Sequence, residues 1–239
     1  MTVNMQLFGQ VETDTIYPYE IYEEEEVYYD EIPKINFFDF GLQSGVPQAA
    51  FQQNRKAMLG GFYINYSRQF RSESPLFIGG SIAYLYVDGF SDEVERILGP
   101  IVETWDGRTT SSLINFDFST KYFLDFQFWR IEPYLEVGMG ANWFFTNTSF
   151  SFPDSDESDN DFEGGDIVFS YGGSLGFMIN LEDNYYLNLS GGYYPGLSAK
   201  YFIESAERPE VLSSTIVAFE QKKSTTDMLR LRLGLNIAF

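Results

Sequence analysis

Residues 227–239, with the sequence DMLRLRLGLNIAF, decide the fold that the rest of the chain has to match. Every second residue of this stretch, from Leu229 to Leu235, is a leucine, and the residues between them include Arg230, Arg232 and, further on, Asn236. Successive side chains of a β-strand point to opposite sides, so the pattern predicts a strand with one apolar and one polar face. A helix would place neighbouring residues only about 100° apart and would mix the two sets.

Seven further stretches show this alternation, and they predict strands at residues 35–43, 57–70, 76–87, 113–124, 134–145, 167–181 and 185–193. Brief turns are predicted at 71–74, 125–130 and 182–184, and long polar connections at 88–110, 146–166 and 195–225, with a link of middling length at 44–56. A transmembrane up-and-down barrel has this rhythm of short turns on one side and longer external loops on the other.

A soluble sandwich or a lipocalin-like barrel would also alternate, so three further features decide between these folds. The strands approach or exceed the ~9–11 residues that a tilted membrane strand needs. Their polar faces carry more charged and amide side chains than a soluble barrel tolerates inside. Aromatic residues cluster near strand ends, as interfacial belts do, at Phe123, Phe126, Phe128, Trp129, Trp143, Phe144, Phe145, Tyr185, Tyr186, Tyr193 and Tyr194. The predicted fold is an all-β, eight-stranded antiparallel up-and-down transmembrane β-barrel with long external loops and an acidic N-terminal extension.

The strand pattern, the connection rhythm and the final stretch with its aromatic Phe239 resemble the small outer-membrane β-barrel proteins of Bacteroidetes. These are related in architecture to the eight-stranded barrels of OmpX and OmpA type, and the resemblance covers about residues 35–239. It implies a place in the bacterial outer membrane, contact with outer-membrane lipid and lipopolysaccharide, and delivery by the barrel-assembly machinery with Phe239 as the terminal assembly signal. It specifies architecture rather than activity.

Composition excludes several classes of function. The chain of 239 residues contains neither cysteine nor histidine, which rules out thiolate metal sites, thiol nucleophiles and Ser-His-Asp chemistry. Its net charge of −20 argues against nucleic acid, which requires basic surfaces. No stretch of 18 consecutive apolar residues predicts a transmembrane helix.

The amino end predicts export and an acidic leader. Residues 1–10 look like the remnant of a secretory signal, with Leu7, Phe8 and Gly9 followed by Gln10 as at a cleavage site. Residues 11–34 hold nine acids and five tyrosines and are expected to form a periplasmic leader that cannot bury a core by itself. The alternative is a docking segment in which the tyrosines anchor a partner.

If the apolar faces contact lipid, the polar faces line the lumen, and buried charges there must be paired. We expect Arg230 and Arg232 to meet Glu136, Asp117 or Asp39 across the lumen and to fill it as a structural plug. The alternatives are a charged conduit for small ions and a carboxylate pair for hydrolysis. The predicted charge cluster comprises Asp39, Asp117, Lys121, Glu136, Arg230 and Arg232, and the amides expected beside it are Asn65, Asn115, Asn142, Asn180, Asn188 and Asn236.

No cofactor, metal or catalytic residue is predicted. Residues 152–166 carry seven acids, and Asp154, Asp156, Ser158 and Asn160 echo a calcium loop without its glycine at the sixth position or glutamate at the twelfth. A solvated acidic loop or a weak divalent site remain the two interpretations.

The sequence therefore predicts a non-enzymatic barrel that acts as a structural or interaction protein. It could be an accessory subunit of a larger envelope complex, contacted through the acidic leader or the external loops. The alternative is a narrow channel or a small-ligand uptake barrel.

Overall fold

The computed structural model describes residues 35–98, 101–125, 128–151, 158–205 and 215–239. The barrel strands are β1 (Asn36–Pro47), β2 (Leu59–Gln69), β3 (Leu76–Leu98), β4 (Ile101–Phe123), β5 (Ile131–Ser151), β6 (Ser158–Glu182), β7 (Tyr185–Tyr194) and β10 (Met228–Ala238). The connections contain α1 (Ala49–Asn54), β8 (Ser198–Glu204), a short 3₁₀ helix (Thr215–Ala218) and β9 (Phe219–Thr225). The signal remnant predicted at 1–10 and the leader predicted at 11–34 lie outside the described residues.

The eight barrel strands form one closed antiparallel ring, in the order β1-β10-β7-β6-β5-β4-β3-β2. The seam joins the first and last strands, with pairs running from Phe37 and Ala238 to Pro47 and Met228. Where all eight strands pair, closure leaves no unpaired edge, which is what a lipid environment demands of a sheet. The predicted fold class of an eight-stranded antiparallel barrel is confirmed.

The outer surface of the ring is apolar, as the leucine row predicted. On β10, Leu229, Leu231 and Leu233 are between 37% and 46% exposed, whereas Arg230 and Asn236 are buried. Such a belt of large apolar side chains has no place on a monomer in water but matches the hydrocarbon core of a bilayer. Exposures between 37% and 65% are found at Phe38, Phe40, Leu42, Phe62, Ile64, Tyr66, Ile82, Phe116, Phe118, Tyr122, Leu135, Val137, Met139, Leu175, Phe177, Leu181 and Leu189.

Two long external connections are built differently from the loops expected at 88–110 and 146–166. β3 and β4 stay paired from Leu76 and Tyr122 out to Leu98 and Ile101, with a bulge at Tyr86 and Asp88. β5 and β6 likewise pair out to Ser151 and Ser158. The outer parts of these four strands (residues 88–98, 101–111, 146–151 and 158–166) form what we call the external sheet. Backbone pairing joins these strands to one another, and Val94 and Phe150 are buried there with Phe90 and Trp105 packed against them.

The remaining external connections also contain regular structure. β1 continues to Pro47, and α1 then lies within the link that was expected to be a loop at 44–56. The long connection at 195–225 contains β8 and β9, which pair with each other as a separate two-stranded sheet. None of the helices among the described residues is long and apolar enough to cross a membrane.

Candidate functional site in the lumen and at the outer mouth

All six charged residues predicted for the lumen lie inside the barrel. None is more than 8% exposed, and the set contains three acids and three bases, so its formal charge is zero. Of the predicted amides, Asn180 is only half-buried and donates to the carbonyl of Asp183 at a turn, at 3.4 Å. The charged members, which we call the lumenal cluster, are Asp39, Asp117, Lys121, Glu136, Arg230 and Arg232.

Arg230 is the best-connected member of the lumenal cluster. Its Nη1 donates to Asp117 Oδ2 at 2.7 Å, and its Nη2 donates to Asn142 Oδ1 at 3.1 Å and to Ser170 Oγ at 3.4 Å. The guanidinium also lies 4.2 Å from the ring centroid of Tyr194. An arginine that is 2% exposed is thus held by one carboxylate, two neutral acceptors and an aromatic face.

Arg232 forms its closest hydrogen bonds with neutral side chains. Its Nε donates to Gln43 Oε1 at 2.7 Å and its Nη2 to Ser81 Oγ at 3.2 Å. The carboxylates are farther away, with 3.5 Å from Nη2 to Asp117 Oδ2 and 3.8 Å from Nη1 to Glu136 Oε1. Asp117 therefore bridges both arginines of β10.

Asp39 and Lys121 are held chiefly by neutral neighbours. Asp39 accepts hydrogen bonds from the hydroxyl of Tyr63, at 2.9 Å, and from the amide of Asn188. With the Asn65 amide turned so that its oxygen faces the ammonium, Lys121 Nζ donates to that oxygen at 3.1 Å. The expected contact of an arginine with Asp39 is not among the ion pairs of the described residues, whereas those with Asp117 and Glu136 are present.

Sequence reasoning did not single out the aromatic and amide partners of the cluster. Tyr194 was assigned to an interfacial belt, but it is 4% exposed and lies against Arg230. Gln43 shares its strand face with Asp39, and Tyr134 shares its face with Glu136, so period two alone was enough to place both in the lumen. Phe144 faces inward for the same reason.

A layer of aromatic residues closes the barrel at the end of the short turns, which is the periplasmic end of such barrels. Phe37 and Phe77 stack with centroids 4.8 Å apart, and Phe123 meets Phe77 edge-on at 5.2 Å. Tyr134 and Met178 complete the buried part of this inner plug. A cavity of about 510 Å³ opens outside it toward the periplasm. The inner plug separates that cavity from the lumenal cluster.

A second apolar layer, the outer plug, fills the external mouth. It combines Phe51 of α1 and Tyr201 of β8 with wall residues such as Phe144 and Leu113. Phe51 lies 5.1 Å from the ring of Tyr201 and 6.0 Å from that of Phe144, both edge-on. Because these side chains are at most 2% exposed, the mouth is packed like a protein core rather than lined like a channel.

Two carboxylates on the walls fasten β8 across the mouth. Asp166 of β6 accepts the backbone N–H of Lys200 at 2.9 Å, and Asp88 of β3 accepts that of Glu204 at 3.1 Å. Asp88 also lies 3.4 Å from the guanidinium of Arg55, which follows α1. Two backbone N–H groups of β8, those of Lys200 and Glu204, are satisfied in this way by side chains.

The arrangement offers little for catalysis. The lumenal carboxylates are engaged by arginine, tyrosine and amide groups inside a packed interior. Among the described residues, no group of three or more acids is placed to hold a metal ion. Residues 154 and 156 of the calcium-loop pattern lie outside the described residues. What the site can do physically is fill and rigidify the barrel.

Comparison with known proteins gives likeness at the level of structure alone. No family model and no curated protein matches the sequence. Ail, the attachment invasion locus protein of Yersinia pestis, is similar with 15% identity and a TM-score of 0.44, over 86% of this chain and 99% of that one. A major outer membrane protein of Thermus thermophilus is similar with 12% identity and a TM-score of 0.48, over 85% of this chain and 99% of that one. OprG of Pseudomonas aeruginosa is similar with 14% identity and a TM-score of 0.42, over 87% of this chain and 97% of that one.

The strand pairing and the faces of this chain are what place it in a membrane. An even number of antiparallel strands, a closed ring, an apolar exterior and a polar interior together define the transmembrane barrel of the bacterial outer membrane. The apolar belt is therefore its contact with outer-membrane lipid.

Proposed function

We propose that this chain is a non-enzymatic outer-membrane barrel that acts as a structural and interaction protein, as an accessory subunit of a larger envelope complex. The observation that carries the proposal is the filling of the lumen in three layers: the outer plug, the lumenal cluster and the inner plug. A barrel built in this way presents surfaces to its surroundings rather than a path through itself. The external sheet is one of those surfaces.

The alternative is a narrow channel or a small-ligand uptake barrel, and the charged lumen is the feature that favours it. Eight strands enclose an interior just wide enough for side chains. Here that interior is occupied by arginine side chains that contact residues on several strands, including Asn142 of β5 and Ser170 of β6. Ion passage would require both plugs and the cluster to move together.

The purified barrel in planar bilayers should give no persistent ohmic conductance, since three packed layers lie in series. Replacing residues 198–225 by a short glycine-serine linker removes the β8 residues of the outer plug. We expect this variant to give no persistent conductance either. The lumenal cluster and the inner plug remain in that variant. A stable pore in the wild-type protein would overturn the proposed function in favour of the channel.

Phe239 is proposed as the signal that the barrel-assembly machinery reads. Its side chain is 66% exposed beside the periplasmic cavity, while its backbone pairs with Asn36 of β1 at 2.8 and 3.0 Å. Phe239→Ala keeps those backbone bonds. We expect several-fold less folded protein in cellular outer membranes but unchanged folding of the purified chain into detergent micelles. Equal loss in both settings would mean that Phe239 acts through stability and not through recognition.

A further inference from the structure

The outward face of the β8–β9 sheet carries two lysines directly opposite each other. Ala199, Tyr201 and Ile203 of β8 are buried in the outer plug, so the alternate residues of this sheet point to the exterior. Lys200 of β8 pairs with Lys223 of β9, and both side chains are exposed. Directly opposite residues have Cβ atoms about 4.5–5.5 Å apart, and like charges at that separation are destabilising. We call these two residues the lysine pair.

The positive charge of the lysine pair is not neutralised within the part of the chain that the structure describes. Neither ammonium group forms an ion pair with an acid there. Lys222, on the other face of β9, is by contrast bound to Glu220, with 2.7 Å from Nζ to Oε2. Asp166 accepts the backbone N–H of Lys200, not its ammonium group. Glu204 lies on the same face as the pair but four residues from Lys200, which is about 13 Å along a strand.

A cleft of about 210 Å³ opens on this face beside the lysine pair. It lies between the β8–β9 sheet and the walls formed by β5 and β6, and among the described residues Lys200 is the only charged one that lines it. Gln221, which is exposed two residues before Lys223 on the same face, adds a side-chain amide. The cleft therefore offers hydrogen-bond donors without a carboxylate that would repel an anion. Its lining comprises Phe144, Phe145, Thr146, Gly164, Gly165, Lys200, Tyr201, Phe202 and Gln221.

The charge of the lysine pair matches a phosphate monoester better than a carboxylate or a sulfate ester. A phosphate monoester carries about −1.5 to −2 charges at pH 7, because its second pKa is about 6. It can therefore neutralise both ammonium groups at once, whereas the other two groups carry a single negative charge. Hydrogen bonds from ammonium groups to phosphate oxygens are also stronger than those between neutral groups.

We propose that the lysine pair and Gln221 bind a phosphate monoester of a carbohydrate that approaches from outside the cell. The proposal rests on the role as an interaction protein and names a ligand for it. Phe145 and Phe202, which also line the cleft, offer apolar surface to a sugar ring. The lysine pair lies on the far side of the β8–β9 sheet from the outer plug, whereas the belt that contacts lipid lies on the outside of the ring. A phosphate in solution reaches this face more directly than one held in the surrounding leaflet.

Binding can be tested by isothermal titration calorimetry with the full chain in phosphatidylcholine nanodiscs at physiological salt. Glucose 6-phosphate should bind saturably, and glucose should not bind. Lys223→Gln should weaken binding about fivefold, since it removes one of the two charges that the phosphate contacts. Lys222→Gln removes the same charge from the adjacent residue, whose side chain lies on the other face, and should change the affinity less than about twofold. Equal weakening by the two variants would overturn the proposal in favour of general electrostatic attraction.

The match between two positive and two negative charges has its own test. Lowering the pH from about 7.5 to about 5 leaves a phosphate monoester with a single charge, while lysines stay protonated. The affinity for glucose 6-phosphate should therefore fall several-fold. Glucose 6-sulfate, which has one charge at both pH values, should bind weakly throughout, and it controls for the protonation of Asp166 and Glu204. Equal affinities of the two esters at the higher pH would overturn the proposal.

The source of the phosphate can be tested in the same bilayer. Phosphatidic acid presents a phosphate monoester from the membrane, whereas the phosphate of phosphatidylglycerol is a diester. At equal negative charge, the two lipids should reduce the binding of glucose 6-phosphate equally. Stronger competition by phosphatidic acid would overturn the exterior source and assign the face to a lipid headgroup. If glucose 6-phosphate fails to bind while the barrel shows no conductance, this ligand is wrong and the proposed function stands.

Discussion

Leu233→Arg is expected to prevent this chain from assembling in a membrane. Leu233 is the sixth of the eleven residues of β10 and is 46% exposed on the lipid side, between Leu42 of β1 and Leu189 of β7. An arginine at the midplane of a barrel's lipid face costs about 2–4 kcal/mol. That is a large part of the net stability of a typical domain. The folded fraction should fall strongly when the urea-unfolded variant is diluted into lipid vesicles and followed by its gel mobility before and after heating.

The adjacent residue provides the control for this change. Arg232→Leu alters the other face of the same strand, and the side chain it introduces is compatible with either environment. It should still assemble, although it leaves Glu136 and Asp117 with less positive charge nearby. Equal tolerance of the two substitutions would mean that the faces of β10 are inverted.

Arg230→Met is expected to cause the largest loss of stability among single changes in the lumen. It removes the 2.7 Å contact with Asp117, whose remaining arginine contact is at 3.5 Å. Breaking a buried ion pair by removing one partner costs about 3–5 kcal/mol, because the other charge stays buried without compensation. The free energy of unfolding in urea, measured in lipid vesicles, should fall by that amount. Arg232→Leu should cost less, since its carboxylate contacts are longer.

A double-mutant cycle separates the ion pair from simple packing. Asp117→Asn removes the stranded charge while keeping the shape of the side chain. In the Arg230→Met background it should therefore restore part of the lost stability, whereas in the wild type it should be destabilising. Additive effects of the two changes would show that Arg230 stabilises the barrel through its aliphatic stem and Tyr194 rather than through charge.

The faces of the barrel could be predicted from the sequence because lipid and lumen impose opposite chemistry on alternate residues. Leu231 and Arg232 are neighbours in the chain and lie on opposite sides of the wall. The number of barrel strands follows from the same alternation. This signal weakens in the external sheet, where water surrounds much of the structure and the outward side chains are polar, as at Arg108. The strands there form because they pair with neighbouring strands, and such pairing cannot be read from the local sequence pattern.

β8 lies within the connection predicted at 195–225, although its residues alternate as those of a strand do. Ala199, Tyr201 and Ile203 alternate with Lys200 and Phe202, and the first three are buried in the outer plug. Alternation over only seven residues inside a long connection does not distinguish a strand from a loop. α1 has six residues, which is too few for helical periodicity to be distinguished from chance.

The composition of the lumenal cluster could be predicted, but its pairing could not. The alternation of side chains along each strand places Asp39, Asp117 and Glu136 in the lumen, but it does not show which of them lies near an arginine. That depends on the stagger of the strands around the ring, which sets the depth of each residue. In this barrel the stagger brings Asp117 of β4 to Arg230 of β10 and leaves Asp39, on the strand beside β10, with Tyr63 and Asn188.

The outer plug also constrains the order in which this chain can fold. Phe51 comes from the connection after β1, and Tyr201 comes from the connection before β10. The two meet at 5.1 Å only when the first and last strands have been brought together, so closing the seam removes most of the loop entropy that would otherwise oppose their contact. We therefore expect the mouth to seal during folding only after the seam has closed.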